Sequence, residues 1–210
     1  MDLALSGRTA LVTGASKGIG LAVAKGLAAE GVDLHLAART AADLDAARAE
    51  IADRYNISIT THPADLSDPE VRAKLAEAVG DIDILINNAG AIPAGGVEDI
   101  DELAWRSAWD LKVFGYIDFC RRYYPAMRER GSGVIINIAG IAGRMSLPGY
   151  IAGSTGNAAL IAFSVSLGEE SIKNGVRVVC INPGPTLTER LETLRRGWAQ
   201  RQVGPYTAES

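Results

Sequence analysis

The sequence predicts an α/β domain whose parallel sheet of about six strands is covered by helices on both faces. Three observations carry this. Short apolar runs alternate with longer, charge-bearing stretches along most of the 210 residues. The runs lack the in–out alternation of a half-exposed strand, so both of their faces are buried, as in parallel sheets. No linker or shift in composition marks a second domain.

Along the chain, strands are expected at Thr9–Val12, Leu34–Ala37, Ile57–Thr60, Ile82–Ile86, Val134–Ile138 and Val176–Ile181. Between them, Ala41–Tyr55 and Pro69–Val79 repeat apolar residues every three or four positions, the period of a helix. Two longer helices are expected over Asp101–Arg130 and Ser154–Lys173. The second is small-faced and apolar on more than one side, through Ala158, Ala159, Ile161, Ala162, Val165, Ser166 and Leu167. Such a helix is either buried in its own monomer or paired in a dimer seam. The seam is the favoured reading, which predicts a homodimer through the two long helices. Trp105, Trp109, Tyr123 and Tyr124 serve packing or that contact.

Charge and cysteine usage exclude several classes. The formal charge of −4 comes without a Lys/Arg-rich block, so neither nucleic acid nor a membrane surface is an expected partner. No run of about 18 apolar residues is uninterrupted, and the amino terminus lacks a basic start. Cys120 and Cys180 sit in apolar surroundings and fit a reducing cytoplasm. His35 and His62 have no carboxylate or cysteine at ligand spacing, so no metal site is expected.

The first strand runs into Thr13-Gly14-Ala15-Ser16-Lys17-Gly18-Ile19-Gly20, and a helical pattern follows. Gly14 permits a tight turn, Gly18 lets the backbone approach a pyrophosphate, and Gly20 allows close helix–strand packing. The helix amino terminus then offers N–H groups and a positive dipole end to phosphates. A bare strand–helix turn is the plainer reading, but position in the first βα unit argues against it.

Together with Asp65-Leu66, Asn87-Asn88-Ala89-Gly90 and Asn182-Pro183-Gly184, this turn resembles the short-chain dehydrogenases/reductases over roughly residues 5 to 190. The resemblance implies a Rossmann-type doubly wound sheet that binds a nicotinamide dinucleotide at the carboxyl ends of its strands. It places Ser16, Lys17, Gly18, Ile19 and Gly20 at the phosphates, Asp65 and Leu66 at the adenine, and Asn88, Ala89 and Gly90 at the ribose. Pro183, Gly184 and Thr188 fall toward the nicotinamide, and Asn87 ties its strand to a neighbour. Strand two ends in Arg39 where an NAD-preferring site carries an acid, and Lys17 adds a second cation. Both suit a ribose 2′-phosphate, which predicts NADP(H) over NAD(H).

The catalytic pattern departs from the resemblance. The family's Ser, Tyr and Lys positions fall on Gly140, Gly153 and Asn157, and its Asn position on Lys112. No shift of register restores a Tyr-x-x-x-Lys, since the residue four after Tyr150 is Ser154. Lysine and asparagine are thus exchanged between two helices. One reading is a rearranged site in which Tyr150 donates the proton, Lys112 tunes it and Asn157 holds a water or substrate oxygen, with Ser146 and Ser154 as further hydroxyls. The other is a loop aromatic, with Lys112 paired to Asp110 or to solvent.

Residues 186–210 are expected to form a flap or a truncated carboxyl-terminal segment, since the resemblance calls for another helix and a last strand. Leu187, Leu191, Leu194 and Trp198 recur at helical spacing and form an apolar stripe that packs or lines the pocket. Three functions stay open: an oxidoreductase acting on an alcohol or ketone, a catalytically silent NADP(H)-binding protein, and a non-redox lyase or isomerase on the same fold.

Overall fold

The computed structural model describes residues 3–145 and 147–201. Six strands form one all-parallel sheet: β1 (Thr9–Thr13), β2 (Asp33–Ala38), β3 (Ile59–Pro63), β4 (Ile84–Asn87), β5 (Gly133–Ile138) and β6 (Val176–Ile181). Their order is β3-β2-β1-β4-β5-β6, the doubly wound arrangement whose direction reverses beside β1. Helices α1 (Gly18–Ala29) and α2 (Ala41–Ala52) pack on one face, burying Ala24, Ala28, Leu44 and Ile51 against Val12, Leu34, Leu36 and Ile86. On the other face, α3 (Pro69–Val79), α5 (Gly115–Glu129) and α6 (Ile151–Ser171) enclose Leu75, Phe119, Tyr123, Tyr124 and Met127 around Leu11, Leu85 and Ile135.

Two expectations are corrected. The third strand begins at Ile59 and ends at Pro63, two residues later than the Ile57 start suggested by its apolar residues. Register decides this: Leu34 pairs with Ile59 and Ala38 with Pro63, and a proline is tolerated because β3 is an edge strand. The helix expected over 101–130 is three pieces, α4 (Glu102–Trp109), a π-helical turn (Asp110–Phe114) and α5. By length and composition α6 with its 3₁₀ extension could cross a bilayer, although no uninterrupted apolar run announces it. Here it lies on the sheet, with Leu160 buried and the Ser164 hydroxyl accepting from Asn137 Nδ2 of β5 at 2.9 Å.

Beyond the carboxyl ends of the strands, α7 (Glu189–Arg201) closes the described chain. Its Leu191 is buried and Leu194 packs on Ile92, Ala142 and Tyr150, but Leu187 is 88% exposed and leaves the expected stripe. The side chain of Trp198, together with Ser146 and residues 202–210, lies outside the described residues.

Candidate functional site

Because all six strands run the same way, the turns after them meet at one end of the sheet. Gly14 and Gly18 take φ of +65° and +59°, a conformation that side-chain-bearing residues avoid. A β-carbon on Gly20 would stand 2.2 Å from the Gly14 carbonyl oxygen, so α1 approaches this closely only without one. The loop after β4 is stitched to the same turn. Asn88 Nδ2 donates to the Thr13 and Gly14 carbonyls at 3.0 and 3.1 Å, while the Thr13 hydroxyl accepts from the Asn88 and Ala89 N–H groups at 2.9 and 3.1 Å. Asn87 Nδ2 donates to Asn137 Oδ1 at 2.9 Å and so joins β4 to β5.

No side chain caps the first turn of α1, where Lys17 is the extended N-cap residue and Ser16 and Ile19 line the turn. These residues fit the pyrophosphate of a dinucleotide: a side-chain-free backbone cradle at the positive end of a helix. Gly20→Ala is expected to cost about 1–3 kcal/mol of stability by overpacking, and to weaken nucleotide binding with it. Thermal melts with and without NADPH check this, and a variant as stable and as well protected by NADPH as the parent contradicts it.

Arg39 is exposed beyond β2 and its charge reaches both Lys17 and the Asp65 carboxyl. Asp65 turns back on its own loop, accepting from the Ser67 N–H at 3.0 Å and hydroxyl at 2.8 Å, which hold its carboxyl below the usual range. Leu66 is buried in the core and its carbonyl accepts from Arg72, so it supports this loop from behind. Lys17 is engaged by the start of α7: its ammonium meets Glu189 Oε2 at 2.7 Å. Thr188 also lies against the turn, its methyl 3.4 Å from where a Gly18 β-carbon would be. Pro183 accepts from the Ile141 N–H through its carbonyl at 3.0 Å, and a β-carbon on the exposed Gly184 would meet nothing within 4 Å.

Around the turn after β5 and the start of α6, side chains fill the places the glycines leave open. A β-carbon on Gly153 would stand 2.0 Å from both Cε1 and Cζ of Tyr150, so this ring occupies the space a residue-153 side chain would take. A β-carbon on Gly140 would stand 2.9 Å from Asn157 Nδ2. Asn157 is buried, and its Oδ1 has no hydrogen-bond partner among the described residues. Ser154 Oγ is likewise buried and unpartnered.

Lys112 projects from the π-helical turn across Gly90, whose β-carbon would lie 3.0 Å from Lys112 Cδ. Its ammonium donates to the Ala139 carbonyl at 2.8 Å; it is not paired with Asp110. The residue keeps a partly open face, yet burial of the ammonium and the nearby Arg190 guanidinium bring it down to about 8. Tyr150, Lys112, Cys180 and Tyr116 thus share one corner, with the Tyr116 hydroxyl donating to the Ile138 carbonyl at 3.2 Å.

Two residues here carried no assigned role in the sequence. Arg72 is buried, donating through Nη1 to the carbonyls of Leu66, Ser67 and Asp110 at 2.8, 3.1 and 3.3 Å, and through Nε to Asp118 at 3.1 Å. It ties the loop after β3 to the π-helical turn that carries Lys112. Arg190 reaches from α7 to the Ile92 carbonyl. Asp110 and Asp118 lie 38 and 46 residues from Arg72, and Ile92 lies 98 from Arg190, so no motif announces these contacts. His35 and His62 stack with Nδ1 and Nε2 2.9 Å apart, and no cluster of metal-ligating side chains exists among the described residues.

Residues 8–198 match the short chain dehydrogenase family. The chain is 34% identical over 203 residues to the uncharacterized oxidoreductase YvrD of Bacillus subtilis (strain 168), covering 95% of this chain and 76% of that protein. It is 32% identical over 195 residues to the 2-keto-3-deoxy-L-fuconate dehydrogenase of Xanthomonas campestris, covering 90% of this chain and 63% of that protein. The crystal structure of L-sorbose reductase from Gluconobacter frateurii, complexed with NADPH and L-sorbose, superposes with a TM-score of 0.83 at 36% identity. That match covers 90% of this chain and 73% of the reductase. The glycine turn stitched to the Asn88 loop, the strand order and a match spanning nearly every described element all point the same way: the chain belongs to the short-chain dehydrogenase family of oxidoreductases.

Proposed function

We propose that this chain is an NADP(H)-dependent oxidoreductase interconverting an alcohol and a ketone through a rearranged site. The observation that carries it is the fit of the Tyr150 ring into the space above Gly153. Relaxed loss of a catalytic tyrosine leaves a void, whereas here a second phenol fills it. Gly14, Lys17, Gly18, Ile19 and Gly20 would hold the pyrophosphate, and Asn88 to Gly90 the nicotinamide ribose. The dinucleotide, when bound, supplies or accepts the hydride. The Tyr150 hydroxyl passes a proton to or from the substrate oxygen, and the Lys112 ammonium offsets the negative charge that develops there. The unpartnered Asn157 Oδ1 accepts from a hydroxyl or water and keeps that oxygen in place. Ile92, Ala142, Leu147 and Leu194, packed around Tyr150, exclude bulk water from the reacting carbonyl.

Titrating the protein with NADPH and with NADH, following nicotinamide fluorescence, tests the nucleotide half of this reading. Failure to bind either removes it, while tight binding with no turnover on any ketone leaves a silent nucleotide-binding protein. Preference for NADPH is assigned to Arg39 and Lys17, two cations at the adenosine end. Arg39→Asp is expected to weaken NADPH by about 10- to 100-fold, the worth of a charge-assisted contact, and to favour NADH. Unchanged NADPH affinity in that variant contradicts the assignment.

The same reading makes the chain a homodimer through α5 and α6. Ala158, Ala162, Val165 and Ser166 form an exposed small-residue face on α6, one to two turns apart, which lets a second helix approach closely. Val165→Glu is expected to shift sedimentation toward monomer, and a monomeric parent protein overturns the dimer.

A further inference from the structure

Positive charge on the substrate side of the cleft goes unanswered. Two other cations of this site do have acidic partners: Lys17 meets Glu189, and Arg72 meets Asp118. Among the described residues no carboxylate lies within ion-pair distance of Lys112, Arg144 or Arg190. The three are linked electrostatically, through Lys112 and the Cys180 thiol. Arg190 acts on Lys112, and the Cys180 thiol feels both Lys112 and Arg144. In a chain of net charge −4, like charges held together in this way call for an anion.

Arg190 is the group best placed to take it. Its guanidinium is half-buried and spans the cleft from α7 to the Ile92 carbonyl. That bond uses one of five N–H donors and holds the planar fork in place, leaving other N–H groups for two oxygens of a ligand. Beside it lie the apolar side chains of Ile92, Leu147 and Leu194 with the Tyr150 ring. An apolar wall next to a fixed guanidinium suits a short carbon chain that ends in a carboxylate.

We propose that Arg190, backed by the charges of Lys112 and Arg144, binds the carboxylate of a keto acid or hydroxy acid whose reacting carbon faces Tyr150. This rests on the reading of the cleft as the reaction site given above. It narrows the substrate from alcohols and ketones in general to acidic ones. It also gives the flap two roles, since α7 brings the anchor for the substrate while Glu189 of the same segment sits on the nucleotide loop.

Binding, rather than turnover, tests this. Pyruvate, acetoacetate and levulinate place the ketone one, two and three carbons from the carboxylate. Each is titrated by calorimetry against its methyl ester, with and without saturating NADP⁺. At least one acid is expected to bind about 10- to 100-fold more tightly than its ester, the range of a charge-assisted contact. Arg190→Met is expected to erase that difference and Arg190→Lys to keep part of it. Arg196→Gln, which removes a flap arginine paired with Glu192, is expected to leave the difference intact.

Equal binding of acid and ester across all three pairs overturns the proposal, as does an Arg190→Met protein that still prefers the acid. Inorganic phosphate is titrated alongside. If it binds through Arg190 and the three acids do not, the site is a phosphate site and the carboxylate assignment falls. The titrations without nucleotide judge Arg190 even if NADP⁺ fails to bind, so this inference and the oxidoreductase reading fail separately.

Discussion

Tyr150→Phe is expected to lower kcat by about 10²–10⁴-fold, the usual worth of a general acid, while NADPH affinity stays unchanged. The substitution removes one oxygen and keeps the ring that fills the space above Gly153, so the fold should hold. A change confined to KM would instead make Tyr150 a wall of the pocket. Lys112 supplies the companion result. Its ammonium, brought down to about 8, is protonated below that pH and neutral above it. The positive charge of this side chain is therefore present at pH 7 and lost as pH rises through about 8. For ketone reduction, kcat is expected to fall on the alkaline side of that value in the parent protein. In Lys112→Met the same limb should be absent and activity low throughout. A profile identical in the two proteins would remove Lys112 from the reaction.

Arg72→Met is expected to cost about 3 kcal/mol of stability, since it breaks a buried ion pair and strands three carbonyl groups. The figure sits at the low end for a broken buried pair because Asp118 keeps Arg122 at 3.1 Å. At ~2–4 °C per kcal/mol for a domain of this size, the melting temperature should drop by roughly 6–12 °C. Urea melts of the variant, read beside Arg122→Met as an exposed control, measure it. A loss below about 1 kcal/mol would show that the π-helical turn and the loop after β3 hold together without this guanidinium. The π-helical turn itself breaks the register of the long helix at Lys112 and points this side chain across Gly90.

The sheet, its six strands and the glycine turn were legible in the sequence because each depends on local pattern. A central parallel strand buried on both faces, such as β1 or β4, must be largely apolar, whereas the edge strands β3 and β6 are partly exposed. A turn that lets α1 stand against the Gly14 carbonyl must have glycine at Gly20. The nucleotide motifs are legible for the same reason: backbone that approaches a phosphate closely leaves a composition that can be read directly. Vacancy at Gly140 and Gly153 was equally plain, and so was the presence of Tyr150 and Lys112 nearby.

What filled those vacancies was decided only by tertiary structure. The Tyr150 ring and Asn157 amide enter spaces opened by residues three and seventeen positions away, and no periodicity encodes which side chain turns inward. Lys112 finds the Ala139 carbonyl 27 residues on, Arg72 finds Asp118 across 46, and Arg190 finds Ile92 across 98. These contacts depend on where helices land on a sheet, which is set by the packing of the whole core. Secondary structure and the nucleotide loop follow from short-range chemistry, whereas the charges that would choose a substrate are gathered from distant segments by the fold.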